Sequence, residues 1–372
     1  MKKMKTALCG LLCAAQLFCM APAALAEQAA ELPLLTPQTT VQELHDNPVL
    51  QAAGFYTYTR DKSERDREKW KDRPLSEYMG ENVVEDCVAS LNQLMRNYES
   101  GVQVTYKIYT DEEIAQEPSR NNAELYYFPA DASYGKTKYA VILCGNVLTE
   151  TEEVKEGTAA AYQLNQMGYT AFVLRYRTWQ DMHDDAPAYD LGRAVQYITS
   201  HAEQFNVDTE DYALIGHSSG GHLVGLFGGK RLGYQEFQVP KPGALIMAYP
   251  VNYFMEGVPI YHTIIDTMAL GLRYYDYSVS GSVTSDYPPA YFFYGKNDIA
   301  LKAMCYPLQG PALEKSLRDH HVPYRAVVYE NAPHGCGLGN GTDADGWLND
   351  AVAFWEQQKN KPEQKGDPHH ES

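Results

Sequence analysis

Basic side chains are in short supply in this chain. Its 372 residues carry 31 Lys and Arg against 48 Asp and Glu, a formal net charge of −17. A phosphate backbone or an anionic bilayer is gripped by clustered lysine and arginine, so this balance argues against nucleic acid and membrane surfaces as partners. Long apolar runs are missing as well. The stretch from Ala7 to Ala21 is shorter than the roughly 20 residues a membrane-spanning helix needs. It follows Lys2, Lys3 and Lys5 and leads to Ala24-Leu25-Ala26, the layout of a secretory signal peptide with cleavage after Ala26. Loss of those lysines leaves the mature chain more acidic still, and a secreted or periplasmic location is expected. Cysteine is sparse. Beyond Ala26 there are only Cys87, Cys144, Cys305 and Cys336. They can pair in three ways in an oxidising compartment or remain as buried thiols, and Cys305 with Cys336 is the expected pair if a bridge forms. No cysteine or histidine spacing resembles a zinc site, and neither a metal nor an organic cofactor is expected.

What the chain does have, from Val102 onward, is alternation of strand and helix patterns. Strands are predicted over Val102–Tyr109, Ala123–Phe128, Tyr139–Cys144, Thr170–Tyr176, Tyr212–Gly216, Ala244–Tyr249, Ala290–Tyr294 and Arg325–Tyr329. Several are continuous apolar runs, as strands buried on both faces require. Helical patterns fall between most of the later ones. The expectation is an α/β fold: an eight-stranded, mostly parallel sheet with helices on both faces over residues 102–358. Residues 27–101 read as a helical leader, in which Val84, Cys87, Val88, Leu91, Leu94 and Met95 recur with helical period and predict an amphipathic helix from about Asn82 to Tyr98. A short helix is predicted over Thr40–Leu50. Residues 252–287 form a tyrosine-rich insertion of a length that usually carries function, such as a lid. The polar tail 359–372 is expected to be disordered.

The stretch Tyr212 to Gly228 is the most telling. An apolar strand runs into Gly216-His217-Ser218-Ser219-Gly220, and a helical segment follows. A G-x-S-x-G turn between strand and helix holds its serine in a strained conformation at the top of a sheet, and the flanking glycines allow the close approach. Ser218 is therefore a candidate nucleophile. A serine hydroxyl needs a base within hydrogen-bond reach, and the base needs an acid that fixes its tautomer. The chain order Ser, Asp, His is satisfied by Asp298, past the strand Ala290–Tyr294, and His334, in a glycine-rich loop past the last strand. Asp266 and Asp286 are weaker alternatives for the acid. His217 and His222 belong to the serine's own turn and helix and are not independently positioned bases. For a developing oxyanion, Ser219 supplies one backbone N–H. The second is expected from the loop after Tyr139–Cys144, with Asn146 the first choice and Val147 the second.

The segments AVILCGN, GYTAFVLRYR, APAYDLGRAVQYI, YALIGHSSGGHL, PGALIMAYPV, PPAYFFYGKNDIAL and VVYENAPHGCGLG resemble the α/β-hydrolase superfamily. Within it they are similar to esterases related to acetyl xylan and feruloyl esterases. The resemblance covers most of Val102 to Trp355 and leaves the leader uncovered. It implies a serine esterase with Ser218, His334 and Asp298 as its triad, acting on a small-molecule or glycan ester. In that group the oxyanion strand usually ends in a run of glycines; here Gly145 alone remains, followed by Asn146. Two other readings share these residues. One is a peptidase of the prolyl-oligopeptidase type, for whose propeller the leader is too short. The other is a non-catalytic binding protein on a hydrolase scaffold, against which the intact Ser, Asp and His argue.

Overall fold

Eight strands build one sheet in the order β1-β2-β4-β3-β5-β6-β7-β8. They are β1 Thr105–Lys107, β2 Glu124–Phe128, β3 Thr137–Leu143, β4 Thr170–Arg175, β5 Val207–His217, β6 Ala244–Ala248, β7 Ala290–Gly295 and β8 Tyr324–Tyr329. The structure, a computed structural model, describes residues 34–55, 68–145, 153–178, 185–252, 277–304 and 309–358. The β1–β2 and β2–β4 pairs are antiparallel, and every pair from β4 through β8 is parallel. This is the α/β sheet expected from the sequence.

Alternation along each strand sends side chains to two cores. Tyr139, Val141 and Leu143 of β3 join one face with Leu214 of β5 and Leu191, Val195 and Ile198 of the helix Ala186–Ser200. Ala140 and Ile142 join the other with Ile215, Trp347 and Trp355. With both faces covered, the central strands need no polar side, and this explains their unbroken apolar runs.

The leader contributes to the second of these cores. Leu44, Leu50, Leu75, Leu91 and Leu94 pack in the same buried cluster as Ala140, Ile142 and Val173. Polar ties reinforce the contact: Ser90 and Thr158 hydroxyls meet at 2.7 Å, and Thr105 Oγ1 donates to the Ala53 carbonyl at 2.7 Å. The amphipathic helix runs over Val84–Glu99.

Three expected elements differ. The short helix over 40–50 is two, Val41–His45 and Pro48–Ala52, because Asn47 caps a new start by accepting from Val49 and Leu50 N–H, with proline at the first helical position. The helix over 188–205 breaks at His201, where Ser200 and His201 side chains both compete for the Tyr197 carbonyl. The strand over 102–109 pairs only at Thr105–Lys107, and the Ile108 carbonyl is taken by Arg193 instead.

Cys87, Cys144 and Cys336 are buried and form no disulfide among the described residues. The suggested Cys305–Cys336 bridge is thus not formed at Cys336; Cys305 itself lies outside the described residues, as do the signal segment, the tail, Asp266 and most of the tyrosine-rich insertion. Of the insertion's tyrosines, Tyr277 and Tyr287 are described, and both are buried in the first core.

Candidate active site

β5 is buried along its last seven residues and ends at His217. The next residue, Ser218, has φ 51° and ψ −115°, and the helix Ser219–Phe227 begins immediately after it. A positive φ on a non-glycine residue costs on the order of 1–3 kcal/mol and persists only where surrounding packing enforces it. That packing is visible at the glycines. A Cβ on Gly216 would lie 2.4 Å from the Gly220 carbonyl oxygen, and one on Gly220 would lie 2.4 Å from that of Leu143. Ser218 N–H donates to the Ala248 carbonyl at 2.9 Å, which ties the turn to the neighbouring strand.

The loops after β7 and β8 bring two further side chains to the serine. His334 Nε2 lies 2.8 Å from Ser218 Oγ, and His334 Nδ1 lies 2.7 Å from Asp298 Oδ2. Asp298 is completely buried, whereas about a quarter of the His334 side chain reaches solvent. The distances fit an imidazole that donates through Nδ1 to the carboxylate and accepts through Nε2 from the hydroxyl. The structure therefore assembles Ser218, His334 and Asp298 into one hydrogen-bonded chain. Asp286 is elsewhere: it accepts from Tyr234, Gln235 and Lys241.

The other expected members divide. Ser219 is the first residue of its helix, so its N–H has no intrahelical acceptor and stands beside Ser218. Asn146 and Val147 lie outside the described residues, which stop at Gly145. Gly145 itself is tightly placed, since a Cβ there would come 2.7 Å from Ser218 Cβ. His217 is fully buried against Tyr249 and Trp347, and burial lowers its pKa, favouring the neutral ring. His222 Nδ1 bonds the Val251 carbonyl at 2.8 Å, and burial lowers its pKa to about 4. Neither histidine competes for Ser218.

Sequence reasoning missed two residues beside this chain. Glu156 is buried in a π-helical turn, Glu153–Thr158, where its carboxylate accepts Gly145 N–H at 2.6 Å and Tyr249 hydroxyl at 2.8 Å. Tyr249 follows β6 with φ 38°, and its ring lies 5.1 Å from that of His334. Burial, with the Glu156 charge second, holds the Tyr249 hydroxyl well above its ordinary pKa, so it stays a neutral donor. The same causes push the Cys336 thiol up to about 12, which makes it a poor nucleophile. Position past a strand end was a usable signal for Tyr249. Glu156 gave none, being one acid in the run Glu150 to Glu156.

A cavity of about 530 Å³ lies apart from Ser218, His334 and Asp298, with Tyr109, Arg120, Arg177 and Arg193 among its lining. Its arginines are already paired: Arg177 with Asp190 at 2.8 Å and with Glu117, and Arg193 with Glu113 at 2.8 Å. Among the described residues, no group of three or more His, Cys, Asp or Glu is arranged to hold a metal ion.

The sheet order, with the serine turn after β5 and the acid and histidine after β7 and β8, is that of the α/β-hydrolase fold. Residues 126–238 match the family described as BD-FAE. An endo-1,4-beta-xylanase B of Butyrivibrio fibrisolvens is 26% identical over 207 residues, 52% of this chain and 31% of that protein. An acetylxylan esterase of Xylanibacter ruminicola is 26% identical over 193 residues, 50% of this chain and 38% of that one. This chain spans about a third of the length of these curated relatives. Among solved structures, an acetyl ester-xyloside bifunctional hydrolase from Caldicellulosiruptor lactoaceticus superimposes with a TM-score of 0.55 at 20% identity, over 68% of this chain and 95% of that one.

Proposed function

We propose that this protein is an exported serine esterase that hydrolyses short-chain carboxylic esters, with acetyl groups on glycans as its substrate class. The observation that carries the reading is the hydrogen-bonded chain from Ser218 Oγ through His334 to Asp298. Ser218 Oγ attacks the ester carbonyl as His334 Nε2 takes its proton. The oxyanion accepts Ser219 N–H and a second donor from Asn146 or Val147. Collapse breaks the C–O bond, and His334 returns the proton to the departing alcohol. A water molecule, deprotonated by the same imidazole, then cleaves the acyl-enzyme. Asp298 keeps the imidazole in the tautomer that can accept at Nε2. The glycan assignment draws support from the names of the relatives, and the exported location from the signal-like segment ending at Ala26.

A panel of p-nitrophenyl acyl esters, acetylated xylan and peptide amides tests the proposal, with hydrolysis of acetyl esters expected to dominate. Ser218→Ala should lower that turnover by about 10³-fold or more while the fold persists, the remainder coming from the oxyanion donors and binding. Near wild-type turnover in a pure Ser218→Ala preparation would sink the assignment, and preferential cleavage of peptide amides would replace the esterase with a peptidase.

A further inference from the structure

Burying a carboxylate is costly unless its oxygens are satisfied, and the cost rises when no cation is nearby. Glu156 is 4% exposed and has no ion pair among the described residues; what holds it are two neutral donors. Those donors belong to the two loops that meet at the serine. Gly145 N–H, bound to Oε2, directly precedes the loop of Asn146 and Val147. Tyr249 hydroxyl, bound to Oε1, in turn accepts Gly337 N–H at 3.1 Å, three residues beyond His334. The Gly337 carbonyl is fixed from its other side by Trp347 Nε1–H at 2.9 Å. One carboxylate thus spans from the backbone packed on Ser218 to the loop that carries its base. It sits on a π-helical turn, an irregularity that occurs frequently at functional sites.

We infer that Glu156 is a positioning residue for the hydrolysis proposed above, a role that rests on that reading. It does not touch the reacting atoms. Its Oε2 holds Gly145 N–H, and with it the backbone that packs on Ser218. Through Tyr249, its Oε1 sets the His334 loop relative to the same point. An alanine at 156 frees both loops. Removal of one oxyanion donor costs about 10²–10³-fold in turnover, and a misplacement of about 1 Å costs about 10²-fold. A glutamine has a single acceptor oxygen, so it can satisfy Gly145 N–H while its amide nitrogen donates to the Tyr249 hydroxyl oxygen, and it should recover most of the loss.

The test uses the purified full chain, well below its melting temperature, with circular dichroism confirming the fold. Glu156→Ala is expected to lower kcat by about 10²-fold with KM within a few-fold, and to weaken a boronic acid transition-state analogue in parallel with kcat. The midpoint of the acid limb of the pH–rate profile should stay in place, because His334 and Asp298 are untouched. Glu156→Gln should return to within about tenfold of wild type, and Tyr249→Phe, which cuts the tie to Gly337 and removes the donor to Glu156 Oε1 but leaves Gly145 N–H bound to Oε2, should fall between the two. If the alanine variant does not fold, wild-type kcat in both Glu156→Gln and Tyr249→Phe overturns the inference. A folded Glu156→Ala with unchanged kcat also overturns it, as does a shifted acid midpoint, which would mean that Glu156 acts by its charge on His334. A wild type inert to esters and to a fluorophosphonate would take down the esterase reading and this inference together.

Discussion

Asp298 binds His334 through one carboxylate oxygen and caps a helix with the other. Oδ2 accepts from His334 Nδ1 at 2.7 Å, and Oδ1 accepts from Leu301 N–H at 2.9 Å at the start of Ile299–Ala303. Helix cap and histidine partner are therefore one arrangement: the cap is what aims the free oxygen.

That double use makes the Asp298 variants diagnostic. Asparagine caps a helix about as well as aspartate, so Asp298→Asn should keep its melting temperature within a few degrees. The amide favours the wrong imidazole tautomer, and turnover should fall by about 10⁴-fold, the size of the same change in serine proteases. Asp298→Ala should lose that turnover and in addition about 1 kcal/mol of stability with the cap. Asp298→Asn turnover within a few-fold of wild type would move the acid to another residue.

Stability should fall on mild acidification. His222 has a pKa lowered to about 4 by burial, against an unfolded value of about 6.5. Between those values the unfolded chain binds the proton and the folded one does not, so the stabilisation is present above pH 6.5 and is lost as pH drops through the window. At 1.4 kcal/mol per pH unit, the loss by pH 5 is about 2 kcal/mol from this residue, and His217 adds to it in the same direction. Urea melts at pH 7 and pH 5 measure this, and the difference should shrink in His222→Gln whatever that variant's stability at pH 7.

Short acyl chains should be preferred. Asn146 and Val147 carry side chains where glycine would carry none, and they follow Gly145, which packs on Ser218. An extra methylene forced into a filled pocket costs about 1–3 kcal/mol. Turnover of p-nitrophenyl acetate should exceed that of the octanoate by well over tenfold, and a faster octanoate would reject the crowded pocket.

Turnover should be indifferent to chelators. Nucleophile and base are both side chains, and the mechanism routes no step through a metal. Activity lost in EDTA and restored by zinc would contradict this.

The sheet and the grouping of Ser218, His334 and Asp298 were legible because each lies where local chemistry punctuates the sequence. Strands show as unbroken apolar runs, Ser218 sits between glycines that nothing larger can replace, and Asp298 and His334 stand just past strand ends. Glu156 was illegible for a physical reason. Its partners are a backbone N–H and a tyrosine hydroxyl from distant segments, and no periodicity or residue type records which donors a buried acid will meet. The break at His201 was hidden similarly, because side-chain competition for one carbonyl leaves the apolar period intact.

The joint packing of Leu44, Leu91 and Leu94 with Ala140, Ile142 and Val173 bears on how the protein can be cut and joined. A fragment beginning near Val102 would retain Ser218, Asp298 and His334, yet it would uncover the part of the second core that the leader side chains fill. Such a fragment is expected to aggregate when expressed by itself. The leader helices thus complete that core rather than form a detachable appendage, and a fusion partner is better joined upstream of Leu35 than at Gly101.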